Sequence, residues 1–536
     1  MVIKMKLINA NISGYRNLNN IELDFDSSIS PFFSIASPNG GGKSTLQQFI
    51  FTTIHCISSP KRHQFLKNLI DGIDTCERKE IAQYVFSDIE EQLYHLSLII
   101  YPLNSNNYDF SALEGSAKSR DQILYFSKLL SELNYIKNII REEGLESFSQ
   151  NLTPSRRRLL RSAKSFTRDL HKNTNRLTTS EILNEFISYE NYLEEELSLA
   201  NEQRDYLALK AREIISNFKD SGEDILFTSD KYLISIQTNA DDNKLNEISN
   251  SIYLCAPNSQ SFLFLDKVAR ESIYSNDAEN SYSNHINKSK EILNNFYTYD
   301  ISPIDLILKS FKNARDLDFA EKLKTSVYGD NFDKITRELN SFLDDKEITV
   351  SNNLEKIIFS IPGQKKELNP EDLSHGELKK LSLYVFVKHI SKQNSIILFD
   401  EIDIALHPSW QLNIVNELKI WSPDSQFVVA THSPQILAST HYKNIIQLYR
   451  DGTTTKVCRL ASPPLDRDIN AIISTVMKAQ TYPPFILELQ KKYRKYVDEG
   501  NTDSDEAHSI KKELLEHISI NSEFFNDLEF DQDLFS

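Results

Sequence analysis

Apolar runs along this chain fall into two kinds. Ser34-Ile35-Ala36, Ser395-Ile396-Ile397-Leu398-Phe399 and Phe427-Val428-Val429-Ala430 show no polar alternation. Such runs predict strands covered on both faces, as in a central parallel sheet. Leu96–Ile100 and the patch Tyr232–Ile236 read as further strands, and Ile348–Val350 with Lys356–Ile361 reads as a hairpin. Helical patterning begins at Lys43–Ile50, directly behind the first strand, and is strongest over Leu378–Val387. The stretch from about 105 to 345 is mainly helical by pattern. It shows no internal repeat and no sustained heptad, which argues against a long coiled coil. Thr178 with Glu181 makes a capping box, so a helix is expected from there through Leu209, an arm able to lie against the basic helix described next.

Behind Pro154, the basic residues Arg157, Arg161, Lys164, Arg168 and Lys172 recur at helical spacing. On an α-helix they fall within a stripe of about 80° along a ridge about 22 Å long. Leu159, Ala163, Phe166 and Leu170 take the opposite side. Two readings stay open for this helix over 155–176: a phosphate-binding ridge, or a solvated face paired with acidic neighbours such as Glu194-Glu195-Glu196.

Four short motifs carry the chemistry. The run Asn39-Gly40-Gly41-Gly42-Lys43-Ser44-Thr45 stands between a predicted strand and a predicted helix. Backbone N–H groups of such a turn point inward and cradle phosphates, and the helix N-terminus favours the anion. Lys43 would then reach the outer phosphates and the Ser44 hydroxyl would ligate Mg²⁺. The first glycine of the usual pattern is replaced by Ser37, so altered loop geometry is expected. Leu373-Ser374-His375-Gly376-Glu377 opens the apolar helix, and Ser374, Gly376 and Glu377 form a second anion-binding helix start. Asp400-Glu401 ends a buried strand: Asp400 is the expected Mg²⁺ ligand and Glu401 the general base for water. His432 follows another buried strand at the same sheet edge. Taken singly, each motif has an ordinary structural explanation. Their order along the chain is what points to nucleotide.

The whole set, with Ile12-Ser13-Gly14-Tyr15-Arg16-Asn17-Leu18, resembles the SMC, RecF and OLD-like branch of ABC ATPases. The resemblance implies an α/β fold: an ABC-type P-loop head made of two sequence-distant lobes, with a large helical insertion and a helical C-terminal tail. It also implies that Arg16 approaches the nucleotide, that His432 senses the γ-phosphate, and that Ser374 serves the ATP of a second copy, in a homodimer or higher homo-oligomer. Asp400 through Pro408, with His407 ending the loop, favours the OLD-like side. Arg467-Asp468-Ile469-Asn470-Ala471-Ile472-Ile473, Pro483-Pro484 and a charged helix resemble the tail of the Septu anti-phage ATPase family. That family implies a companion HNH nuclease of the PtuB type, and it also occurs beside retron reverse transcriptases, whose branched DNA–RNA the basic ridge would seat. The glutamine of the Q-loop has no secure place; Gln83 is the candidate.

Lys43 and Asp400 must meet at one Mg²⁺ although they stand 357 positions apart, so a large insertion is expected. Residues 1–104 are assigned to head lobe one, 105–345 to the insertion, 346–460 to head lobe two, and 461–536 to a helical region. The aromatic and acidic stretch Glu523–Phe535 is read as a frayed end or a docking peptide.

The net charge of −16 excludes a chain that coats nucleic acid over its whole surface. Four scattered cysteines give no disulfide framework or metal spacing, and no apolar run suffices for a membrane span, so a cytoplasmic protein is expected. No nuclease constellation stands in this chain. Four functions remain at this point: a nucleotide-switched regulator of a separate nuclease, a DNA-repair or chromosome-maintenance ATPase that clamps duplex itself, an ATP-bound structural clamp, and, fitting poorly, a transporter motor.

Overall fold

The computed structural model describes residues 5–26, 28–70, 72–73, 75–103, 110–150, 179–229, 231–257, 264, 288–293, 295–298, 303–343, 345–364, 367–464 and 468–528. The basic helix expected over 155–176, with Arg157, Arg161, Lys164, Arg168 and Lys172, lies outside them, as does Arg467.

The chain opens on β1 (Lys6–Ile12), β2 (Ile21–Asp24) and β3 (Phe32–Ala36), then α1 (Lys43–Ile57) and α2 (His63–Ile70). Next come β4 (Lys79–Ser87), β5 (Leu93–Pro102), two long helices α3 (Ser111–Gln150) and α4 (Thr179–Asp220), and the strands β6 (Glu223–Thr228) and β7 (Tyr232–Thr238). Helix α5 (Asp242–Ser251) leads into β8 (Ile252–Ala256) and β9 (Phe296–Thr298), followed by α6 (Pro303–Thr325) and α7 (Asn331–Asn340). The small strands β10 (Glu347–Val350), β11 (Ile357–Ser360) and β12 (Glu367–Leu368) precede α8 (His375–Val385) and β13 (Ile396–Asp400). Last are α9 (Pro408–Trp421), β14 (Gln426–Ala430), α10 (Pro434–Ser439), β15 (Ile445–Asp451), β16 (Thr454–Arg459), α11 (Pro484–Asp498) and α12 (Asp505–His517).

Two compact units result. The first comprises Met1–Asp71, Tyr84–Tyr94 and Asp242–Ser536. Its centre is a seven-stranded sheet in the order β16-β15-β3-β14-β13-β8-β9, parallel throughout except for the antiparallel pair β15–β16. All five residues of β3, β8, β13 and β14 are buried, as continuous apolar runs require when helices cover both faces. Thirteen of the 15 residues of α1 are buried, so this helix runs through the core rather than along the surface. The Gln47 carboxamide donates to Phe399 O at 3.0 Å and Val428 O at 2.9 Å, which ties α1 to β13 and β14. Strands β10, β11 and β12 form a separate antiparallel sheet that includes the expected hairpin.

The second unit comprises Gly72–Gln83 and His95–Asp241. Strand β7 lies antiparallel between β5 and β6, and the 40 residues of α3 pack along the 42 of α4. At 1.5 Å per residue each helix is about 60 Å long. Their seam is narrow: Leu133, Ile136, Phe186, Tyr189, Leu193 and Ala200 are buried in it, and an ion pair joins Lys137 to Glu190.

Several expectations change here. The return to the head falls at Asp242 rather than 346, because Ile252-Tyr253-Leu254-Cys255-Ala256 is a central strand pairing in parallel with β13. The strand Leu96–Ile100, expected to close lobe one, belongs to the second unit. Among the described residues helix α4 packs along α3; the basic helix expected beside it lies outside them. Gln83 stands inside β4, where no loop presents it. The C-terminal stretch is not frayed through Leu528: residues 523–528 are helical, and Phe525 and Leu528 are buried with Ile486, Tyr493 and Leu514 of α11 and α12.

Candidate functional site

Parallel strands β3, β13 and β14 end at one edge of the sheet, and each hands its next residues to a loop there. Behind β3, Ser37–Gly42 turns into α1. Gly40 and Gly42 adopt φ of 74° and 95°, a left-handed backbone open to glycine. Gly41 has no room for a side chain, since a Cβ there would stand 2.5 Å from the Ser37 Cβ and Oγ. Pro38, Asn39 and Gly40 form the exposed tip, and Thr45 is half-buried on the first turn of α1. Ser37 is not at a positive φ. Its position therefore makes no demand for glycine, and its hydroxyl accepts a hydrogen bond from Lys43 Nζ at 3.1 Å.

The expected residues meet here. Ser44 Oγ donates to Asp400 Oδ1 at 3.0 Å, across 356 positions of sequence. Lys43 Nζ lies 2.7 Å from His432 Nε2. An ammonium has only protons to give, so this ring nitrogen accepts and the imidazole is neutral. Burial and the neighbouring ammonium both pull the His432 pKa below its ordinary value. Burial likewise lowers Lys43, although Asp400, Asp403 and Glu401 oppose it. Asp400 is fully buried, and burial pushes its carboxyl up to about 7 against the Ser44 hydrogen bond and with the Glu401 charge. Its Oδ2 has no hydrogen-bond partner among the described residues. A buried carboxylate oxygen left open beside a serine hydroxyl fits a hard, oxygen-seeking divalent cation such as Mg²⁺.

Glu401 takes a left-handed backbone, φ 51°, directly beyond the strand. Its amide donates to Ala430 O at 3.0 Å, and Lys379 Nζ reaches its carbonyl at 3.4 Å. This turn lifts the Glu401 side chain off the buried strand and leaves it half-exposed. Arg16, also at positive φ (54°), is exposed, with its guanidinium 5.2 Å from the Tyr15 ring centroid.

Ser374, Gly376 and Glu377 stand at the start of α8. The Ser374 side chain accepts from the Glu377 amide, and the Glu377 carboxylate accepts from the Ser374 amide at 2.9 Å, a full capping box. A Cβ on Gly376 would approach Ala405 O and the Trp410 ring to 2.9 Å. Beside this turn opens a cavity of about 610 Å³ lined by Ser374, Gly376, Ala405, Leu406, His407, Ser409 and Trp410. No P-loop residue is among its described walls.

Other groups escaped sequence reasoning. Asn17 Nδ2 donates to Thr455 Oγ1 at 2.9 Å, the Thr455 amide to Asn17 O at 2.8 Å, and Thr455 Oγ1 to Gly41 O at 3.4 Å. Asn17 and Thr455 thus collar the P-loop from 438 positions apart. Thr431 donates to Asp403, and Ser433 Oγ to Gln411 Oε1 at 2.6 Å, which fixes the loop carrying His432. Polar residues on separate loops leave no periodic trace in a sequence.

Residues 38–438, about three quarters of the chain, match the family described as "AAA domain, putative AbiEii toxin, Type IV TA system". The chain belongs to this family. The matched AAA-domain segment opens inside the P-loop and runs past His432. Among curated proteins, the chain is 27% identical over 197 residues to the "Retron Vc95 probable ATPase" of Vibrio cholerae serotype O1 biovar El Tor, covering 34% of this chain and 38% of that protein. It is 32% identical over 117 residues to the "Septu protein PtuA" of Bacillus mycoides (strain KBAB4), covering 20% and 16%. With the "Septu protein PtuA" of Bacillus thuringiensis the identity is 25% over 201 residues, covering 36% and 48%. The matches thus span less than half the length of these relatives. Solved SMC head domains superpose weakly: that of Thermotoga maritima at TM-score 0.36 and 9% identity, covering 85% of this chain and 100% of that chain. The parallel central sheet and the strand-to-helix turn give this AAA-family chain an α/β P-loop fold.

Proposed function

We propose that this chain is an ATP hydrolase whose heads close in pairs on Mg²⁺–ATP, and that the cycle governs a separate HNH nuclease in anti-phage defence, as part of a Septu or retron system. The observation that carries the hydrolase reading is the convergence of Lys43, Ser44, Asp400 and His432 from three distant loops. Names borne by the relatives, Septu protein PtuA and retron ATPase, support the defence setting.

Lys43 is shared between Ser37 and His432. An arriving γ-phosphate would draw the ammonium to itself, and His432 would sense the phosphate by donating from Nε2 once that nitrogen carries the ring proton. The P-loop amides would hold the phosphates, with Arg16 at their open side. Ser44 and the free Oδ2 of Asp400 would hold Mg²⁺, which neutralises developing charge on the phosphates. Glu401 would take a proton as the water oxygen bonds to the γ-phosphorus and the bond to ADP breaks. Ser374, Gly376 and Glu377 would complete the site from the second copy.

Glu401→Gln tests this directly. ATP should still bind, turnover should fall by about two orders of magnitude or more, and sedimentation should show a trapped dimer. Unchanged turnover would overturn the assignment of Glu401. Nucleic acid is proposed to bind through Arg157, Arg161, Lys164, Arg168 and Lys172. Five neutralised phosphates on a single strand give a slope of log affinity against log salt of about −3.5. A slope near zero would remove this interface, and strong stimulation of turnover by duplex without any nuclease partner would favour the DNA-clamping alternative.

A further inference from the structure

The turn at Ser374 carries a negative charge of its own where the proposed reading brings in a second copy's triphosphate. Glu377 Oε2 accepts from the Ser374 amide at 2.9 Å and from the Ser374 hydroxyl at 2.8 Å. The single proton of that hydroxyl is thus committed to the carboxylate. On its other oxygen, Glu377 Oε1 accepts from Lys346 Nζ at 2.9 Å. Lys346 stands immediately before β10, outside every motif of the sequence, and its ammonium also reaches Asp345 at 3.1 Å. The Lys346 and Glu377 side chains are only 17% and 16% exposed, so water screens them poorly. Burial works against the charge on Glu377, yet the Lys346 ammonium and the Ser374 donors outweigh it and hold the carboxyl below its ordinary value. The Glu377 hydrogen bond in turn raises Lys346.

An uncompensated carboxylate at this helix start would face the γ-phosphate as a like charge, and such juxtapositions cost several kcal/mol. We propose that Lys346 is a positioning residue for head closure: by neutralising Glu377 and fixing its carboxylate against the Ser374 amide, it turns this capping box into a surface that accepts a second copy's triphosphate. The inference rests on the reading that Ser374 serves a partner's ATP.

The test uses the full chain carrying Glu401→Gln, with ATP-driven association followed by sedimentation and ATP binding to dilute single heads followed with a fluorescent ATP analogue. Lys346→Met should weaken association at least about tenfold, with nucleotide binding by the single head unchanged. Lys346→Arg should keep association near the parent value, since it retains the charge. Adding Glu377→Gln to Lys346→Met should recover most of the loss, because the offending charge is gone while an acceptor for the Ser374 amide remains. Association of Lys346→Met equal to the parent would overturn the inference. So would a double variant no better than Lys346→Met, which would make Lys346 a structural tether only. If the parent itself fails to associate with ATP, the paired-head reading falls first and takes this inference with it. If only Lys346→Met behaves like the parent, the reading survives and the inference does not.

Discussion

Ser37 shows how a motif position can depart from its usual residue without a left-handed backbone to strain. A side chain is therefore tolerated, and the hydroxyl holds Lys43. Ser37→Gly should keep nucleotide binding while lowering the stability of the ligand-free chain by about 0.5–1 kcal/mol, measured by denaturant unfolding, because glycine gives up more backbone freedom on folding. Asp400 makes a sharper prediction. Its pKa in the folded chain, about 7, lies above the ordinary 3.8, so the folded state binds this proton more tightly than the unfolded one. The stabilisation that protonation brings is complete below pH 3.8 and fades as pH rises to about 7. Asp400→Asn, which removes the ionisable group, should therefore raise the melting temperature at pH 8 and leave it nearly unchanged at pH 4, while abolishing Mg²⁺-dependent turnover. Equal melting temperatures at pH 8 would contradict the burial argument. These residues were legible because their motifs are local in sequence. Asn17, Thr455 and Lys346 were not, because the contacts that matter, Asn17 with Thr455 and Lys346 with Glu377, exist only once the folded chain brings the partners near.

Elements were legible in proportion to how fully their own pattern set their burial. The runs ending in Ala36, Asp400 and Ala430 announced central strands because both faces are covered and no polar residue interrupts them. The same logic applied to Ile252–Ala256 would have found β8, and with it the true return to the head; a long stretch with helical patterning obscured five residues. Helix α4 was legible from the capping-box pattern at Thr178, but its pairing with α3 was hidden for the opposite reason. Their shared seam is too sparse for a heptad, and charge supplements it through Lys137 and Glu190. Lys137→Ala should cost about 2 kcal/mol in unfolding of the hairpin, since it strands a mostly buried carboxylate. Glu190→Gln in the same chain should return part of that, as an amide is less costly to leave without its cation. A loss below a few tenths of a kcal/mol would show the pair to be ornamental.

On the scale of the whole molecule, the proposed cycle depends on loops from opposite ends of the chain sharing one ligand. The match from 38 to 438 reflects this, because the AAA-domain family takes in the excursion through α3 and α4 along with the head. The second unit is reached and left through the first, so one site cannot be assembled from either flank alone.

Strand β3, which delivers the P-loop, pairs with β14 and β15 and with nothing earlier. A ribosome must therefore release the polypeptide through about Ala430 before those first residues find their first neighbour. During synthesis the glycine loop waits longest, without a sheet to hold it. Folding with contacts this distant is slow, and a nascent chain halted short of β14 should retain no nucleotide.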